Sequence, residues 1–132
     1  MIHARLNEKE KMWFSNLAVY LAGDDNYLDH IEQKYLLRYR IELGLDSALD
    51  TSMSFESALE MFAKNSSMNT KKSVFLELAC ITYCDDLYLP IEKKNLSIAA
   101  EKLNIETPDR FISIAKKLAP IYNEALALFD DQ

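Results

Sequence analysis

The chain is poor in the residues that make turns, disulfides and membrane anchors. Its 132 residues include two glycines and three prolines, which leaves little room for the tight turns that join β-strands. Two cysteines, and no N-terminal segment of the secretion-signal type, lead us to expect a reduced, cytoplasmic protein. No apolar run approaches the roughly 20 residues of a membrane span, so we expect no membrane insertion. The composition favours an all-α protein.

Positive charge is also scarce. Fifteen Lys and Arg residues against 21 Asp and Glu residues give a formal net charge of −6. Nucleic acids and anionic membrane surfaces bind basic faces, so neither is an expected partner. A cation or a basic protein partner is compatible with this charge. Apolar residues make up 49% of the chain, enough for the core of one domain that spans residues 1–132.

Apolar periodicity and capping signals predict a bundle of six to seven helices. Asn7 with Glu10, and Asp29 with Glu32, are capping boxes that start two of them. We expect Pro120 to kink or split the last helix, leaving a terminal piece through Phe129. Further signals are an N-cap at Ser54, helix starts at Thr70 and at Pro90, a left-handed residue at Asn104, and an N-cap at Thr107.

Two segments of the chain, 14–45 and 75–105, resemble each other. Their residues coincide at a shift of 61 up to a shared Tyr-Leu pair and at a shift of 60 after it. A repeat of this length is typical of a duplicated supersecondary unit. We therefore predict two related helical hairpins, one over about 7–45 and the other over about 69–105. The matched pairs include Phe14 with Phe75, Leu17 with Leu78, Ala18 with Ala79, Leu36 with Leu96 and Leu43 with Leu103.

Each copy also repeats an acidic loop between two helices. Negative charge just after the C-terminus of a helix is unfavourable, and a bound cation would offset it. Oxygen ligands suit Ca²⁺ or Mg²⁺ better than Zn²⁺. The alternating ligands and central Gly of an EF-hand are absent. The candidate metal ligands are Asp24, Asp25 and Glu32 in the first copy, and Asp85, Asp86 and Glu92 in the second.

The same six residues also have a purely structural interpretation. Glu32 and Glu92 occupy the position of a capping-box glutamate in the first turn of a helix. Asp is an ordinary turn former and tolerates left-handed backbone angles. Duplication preserves folding signals as well as ligands, so the repeat leaves both interpretations open.

The segment from Asp85 to Glu92 is similar to a motif of the TerB-like domains, an all-helical family named for a tellurite-resistance protein. That motif is an Ala-Asp-Gly turn, an apolar residue, a small polar residue, often Pro, and then Glu. Asp85 and Glu92 are seven positions apart, as are the two acidic residues of the motif. The first copy has one extra residue, with Asp29 as the insertion. The likeness extends over about 11–129.

Two positions depart from the family pattern. Asp25 and Asp86 replace the family Gly, and Leu28 and Leu89 replace the small polar cap. The resemblance implies a helical bundle with two acidic sites on one side, for which metal binding is the usual proposal. It implies no enzymatic reaction. Any connection with tellurite resistance or another stress response is an implication of the resemblance alone.

Other residues give no competing site. Cys80 and Cys84 lie one helical turn apart, but neither His3 nor His30 has useful spacing to complete a zinc site with them. No nucleophile, phosphate-binding or cofactor motif occurs, so we do not expect an enzyme. The sequence predicts a non-enzymatic module that binds a divalent cation. The alternative is a protein-interaction scaffold that uses its acidic face without metal. A homodimer is plausible if apolar residues remain exposed.

Overall fold

The computed structural model describes residues 6–21, 52–83 and 90–128, except for the side chains of residues 90–92, 122, 123 and 126. Every regular element in these ranges is a helix, so the all-α prediction is confirmed for them. The helices are α1 (Glu8–Leu21), α2 (Phe55–Asn65), α3 (Met68–Thr82), α4 (Pro90–Lys102) and α5 (Pro108–Ala127). None of the five is long and apolar enough to cross a membrane. The helix expected from His30 lies outside the described residues, and the count of six to seven stays a prediction.

Reciprocal hydrogen bonds start α1, as the sequence predicts. The backbone N–H of Asn7 donates to Glu10 Oε1 at 3.0 Å, and the N–H of Glu10 donates to Asn7 Oδ1 at 2.9 Å. Helix α2 begins with a similar cap, in which the N–H of Ser57 donates to Ser54 Oγ at 3.1 Å. Each cap satisfies backbone donors that have no partner within the helix and is worth about 1 kcal/mol.

Asn104 ends α4 in the left-handed conformation, with φ at 60°. The N–H of Ile105 donates to the carbonyl of Ala100 at 2.9 Å, and the N–H of Asn104 donates to the carbonyl of Glu101 at 3.2 Å. These two bonds define a Schellman motif. Ile105 and Ala100 are both buried, as is typical of the apolar residues that flank this motif. The predicted role of Asn104 is confirmed.

Two predicted boundaries are wrong. Helix α3 begins at Met68 rather than Thr70, because Ser67 Oγ accepts the N–H of Thr70 at 3.2 Å and so acts as the N-cap. Of the two outcomes predicted at Pro120, a kink or a split, the split is wrong, since α5 runs unbroken from Pro108 to Ala127. Pro120 is exposed, while Ala115 and Ala119 on the same helix are fully buried. Packing of this buried face anchors the turns just before Pro120, and the helix continues beyond it despite the hydrogen bond that proline removes.

The core lies around α3, which packs against α1, α4 and α5, while α2 packs against α1 and α4. Edge-to-face aromatic pairs join these layers, with ring centroids 5.4 Å apart for Trp13 and Phe62 and 5.7 Å apart for Phe75 and Phe111. Tyr20 is exposed and stacks on the Phe55 ring, with the ring centroids 4.7 Å apart. The largest fully buried apolar side chains are Phe14, Phe62, Phe75, Leu17, Leu59, Leu78, Ile81, Leu96 and Leu103.

Candidate functional site

Five of the six predicted metal ligands lie outside the described residues. They are Asp24, Asp25, Glu32, Asp85 and Asp86. The sixth, Glu92, is the third residue of α4, and the structure describes its backbone but not its side chain. The structure therefore locates the first turn of α4 and the two helices that lead into the acidic loops.

The helices before the two acidic loops bury equivalent positions. Three matched pairs have no exposed surface: Phe14 with Phe75, Leu17 with Leu78, and Ala18 with Ala79. Leu21, the last residue of α1, is equivalent to Thr82, the last residue of α3, at the shift of 61. Each Asp pair begins three residues beyond these helix ends. Helices α1 and α3 also pack against each other.

A buried polar residue occupies one further equivalent position in each helix. Asn16 Nδ2 donates to the carbonyl of Met12 at 2.9 Å, and its Oδ1 accepts the N–H of Met53 at 2.9 Å. Asn16 thereby joins α1 to the residues that precede α2. Its equivalent, Glu77, is 1% exposed within α3. Sequence reasoning missed both residues, although a polar residue at the same register in both copies is a signal that could have found them.

Cys80 is a buried free thiol one turn after Glu77. Burial, and then the negative charge of Glu77, raise the pKa of Cys80 from an ordinary 9.0 to about 12. The thiol therefore stays protonated near neutral pH, and neither nucleophilic attack nor metal binding by a thiolate is favoured. Cys84 lies outside the described residues.

The negative charge of the chain is concentrated in the segments that hold the predicted sites. Segments 22–51 and 84–89 contain nine acidic and three basic residues. Their combined net charge of −6 equals that of the whole chain. Within residues 6–21, 52–83 and 90–128, no three His, Cys, Asp or Glu side chains are grouped closely enough to hold a metal ion.

The described residues also form a cleft of about 330 Å³ between α3, α4 and the start of α5. Phe75 and Leu96 are buried and form its floor, while Lys93, Glu101 and Asp109 are exposed. Mixed charge over an apolar floor favours no particular ligand. The remaining lining residues are Ser97, Ala100, Ile105, Pro108 and Ile112.

Comparison with known proteins identifies no relative. No protein-family model, no curated protein and no solved structure matches the chain significantly. The resemblance to the TerB-like family rests on the motif residues from Asp85 to Glu92 and on the order of the helices.

Proposed function

We propose that the protein is a non-enzymatic module that binds a hard divalent cation at its two acidic loops. The observation that supports this most is the common register of α1 and α3. Both helices bury the same positions, pack against each other, and precede an Asp pair by the same number of residues. The proposed ligands are Asp24, Asp25 and Glu32 at one loop, and Asp85, Asp86 and Glu92 at the other.

Helix electrostatics explain why these loops would take up a cation. The C-terminal end of a helix carries a partial negative charge, so an Asp pair just beyond it is repelled. A divalent ion removes this repulsion and accepts several carboxylate oxygens at once. Ca²⁺ and Mg²⁺ are favoured over Zn²⁺, because the loops hold oxygen ligands and Cys80 remains a thiol.

Calorimetric titration of the metal-stripped protein with Ca²⁺, Mg²⁺, Mn²⁺ and Zn²⁺ tests this proposal. A bound ion in 100-fold excess over its Kd stabilises the folded state by about 2.7 kcal/mol, so the melting temperature should rise in parallel. Replacing Asp24 and Asp85 together by Asn should remove both effects. Replacing Glu56 and Asp109, two exposed carboxylates on α2 and α5, by Gln and Asn is the matched control. The absence of heat and of stabilisation with all four ions would exclude the proposal.

The concentration of acidic residues in segments 22–51 and 84–89 also supports a second function, as a scaffold for a basic protein partner without metal. Partner capture would then weaken with added salt and in the Asp24→Asn, Asp85→Asn double variant. It would be unchanged by a chelator, whereas a metal-dependent site would lose its partner on chelation. Capture that is unaffected by both the variant and salt rules out the scaffold.

A further inference from the structure

Helix α5 carries an exposed apolar stripe next to its core-facing side. Ile114 and Ile121 are 46% and 61% exposed, Ala125 is also exposed, and Leu128, the residue just beyond the end of α5, is 79% exposed. Phe111 and Leu118 are partly buried at the edge of the core, so they connect the stripe to it. Apolar surface of this kind, rising in exposure toward the end of a helix, indicates a surface that another chain covers.

The spacing of the stripe is that of a coiled-coil seam. Taken together with Phe111 and Leu118, the residues of the stripe recur alternately three and four positions apart. A helix buries such a pattern against one partner helix. From Phe111 to the end of α5 at Ala127, the stripe extends over about 24 Å of helix. Pro120 is exposed on a different face of α5 and does not interrupt it. In heptad notation Phe111, Leu118 and Ala125 are a positions, and Ile114, Ile121 and Leu128 are d positions.

The charges beside the stripe are complementary between two copies of the chain in antiparallel orientation. Arg110, Lys117 and Glu124 are exposed and occupy successive g positions. Antiparallel helices bring g positions face to face. When Leu118 packs against Ile121 of the second copy, Lys117 of each chain faces Glu124 of the other. A parallel pair would instead set these charges against e positions, which are Ala115 and Tyr122 and carry no charge.

We propose that the protein forms a two-fold symmetric homodimer through antiparallel pairing of α5. Two-fold symmetry requires a self-complementary surface, in which a residue and its partner exchange roles between the chains. The stripe meets this requirement in its apolar pairs and in its charge pair. Helix α3 extends the surface, because Lys72 and Leu76 line a groove of about 390 Å³ with Phe111 and Ile114. Covering this groove adds apolar contact beyond the two helices.

Sedimentation velocity of the full chain over a range of concentrations tests the dimer directly. The wild-type chain should associate reversibly, and Ile121→Asp should raise the dimer Kd roughly 100-fold or more, because it places an unpaired charge in the seam. Met12→Asp is the matched control, since Met12 is 44% exposed on α1 and away from the stripe. Circular dichroism should show that both variants keep their helices. A wild-type chain that remains monomeric at millimolar concentration, or dimers unaffected by Ile121→Asp, would overturn the proposal.

A charge exchange tests the orientation without altering the apolar seam. Lys117→Glu and Glu124→Lys alone should each raise the dimer Kd roughly 10-fold, because like charges then face each other. The two changes together should restore dimerisation to within a few-fold of wild type. If both single variants dimerise like wild type, or if the double variant gives no rescue, the antiparallel pairing is wrong.

Discussion

Ser66 donates a hydrogen bond through its hydroxyl to Glu10 Oε2, across 56 residues of sequence. The other oxygen of the same carboxylate accepts the N–H of Asn7 and caps α1. Ser66 itself is the C-cap of α2, where its N–H donates to the carbonyl of Phe62 at 3.0 Å. The buried Glu10 carboxylate therefore accepts a backbone N–H at the start of α1 and, through Ser66, links that start to the end of α2.

Loss of this carboxylate should cost more than loss of an ordinary surface charge. We expect Glu10→Ala to lower the free energy of unfolding by about 2 kcal/mol and Ser66→Ala by about 1 kcal/mol. The double variant should cost less than the sum, because both changes remove the same hydrogen bond. Glu8→Ala is the control and should cost at most about 0.5 kcal/mol, since Glu8 forms only an exposed ion pair with Lys11 at 3.2 Å. Urea unfolding measures all four, and strict additivity would argue against the link.

Substitution of Asn16 should destabilise the fold more than substitution of an exposed Asn. Asn16→Ala leaves the N–H of Met53 without its acceptor, and we expect a loss of about 2 kcal/mol. Asn65→Ala is the matched control, because Asn65 also donates to a backbone carbonyl, that of Met61 at 2.9 Å, but is exposed. It should cost less than about 0.5 kcal/mol. Equal losses for the two variants would show that Asn16 does not join α1 to the start of α2.

The Cys80 thiol should make the fold sensitive to alkali. Its pKa is about 12 in the folded chain against 9.0 ordinarily, so the unfolded state loses this proton first as the pH rises. The contribution of Cys80 is complete below pH 9 and declines between pH 9 and 12, by at most about 1.4 kcal/mol per pH unit. The measurement is the unfolding free energy of a Cys84→Ser protein minus that of the same protein with Cys80→Ala. A difference independent of pH over this range would contradict the prediction.

The same Cys84→Ser protein allows a kinetic check on the burial of Cys80. A thiol reagent at pH 8 should modify Cys80 only when the core opens, so labelling should be slow in buffer and fast in denaturant. Substitution of a core residue such as Leu78 by Ala should speed labelling, because it lowers the free energy of opening. Labelling in buffer as fast as in denaturant would mean that Cys80 is accessible in the native state.

The stabilities of variants at Asn104 should follow the order expected at a left-handed helix end, with Gly above Ala. Asn104→Gly should be neutral or slightly stabilising, since glycine adopts a φ of 60° without steric cost. Asn104→Ala should destabilise the fold by about 1 kcal/mol, because a Cβ is unfavourable there. Thermal unfolding distinguishes the two. A more stable Ala variant than Gly variant would rule out the left-handed geometry at this position.

The predictions that were confirmed concern local signals. Asn7 with Glu10, Ser54 and Asn104 mark helix ends through bonds that span five residues or fewer, and Pro90 begins α4, so neighbouring sequence suffices to find these ends. The shift of one helix start from Thr70 to Met68 is also local. It reflects capping by Ser67, whose hydroxyl accepts the N–H of Thr70 three residues on.

The sequence predicts the residue types of the candidate metal site and their spacing along the chain. Asp24 and Asp85 follow helices whose last residues, Leu21 and Thr82, are register-equivalent, and that relation was already present in the repeat. The distance between two loops, by contrast, depends on how separate helices pack. Contacts between helices distant in sequence carry no local signature, so sequence alone cannot supply that distance.

The sequence by itself determined that the described chain is helical, which residues mark the ends of most of its helices, and which residues could bind a cation. Only the tertiary structure decided that Asn16 and Glu77 are buried, that Ile114 is exposed, and that Pro120 leaves α5 unbroken. The physical reason is that capping is a property of a few consecutive residues. Burial depends on which helix faces meet, and that is settled by the packing of the whole core.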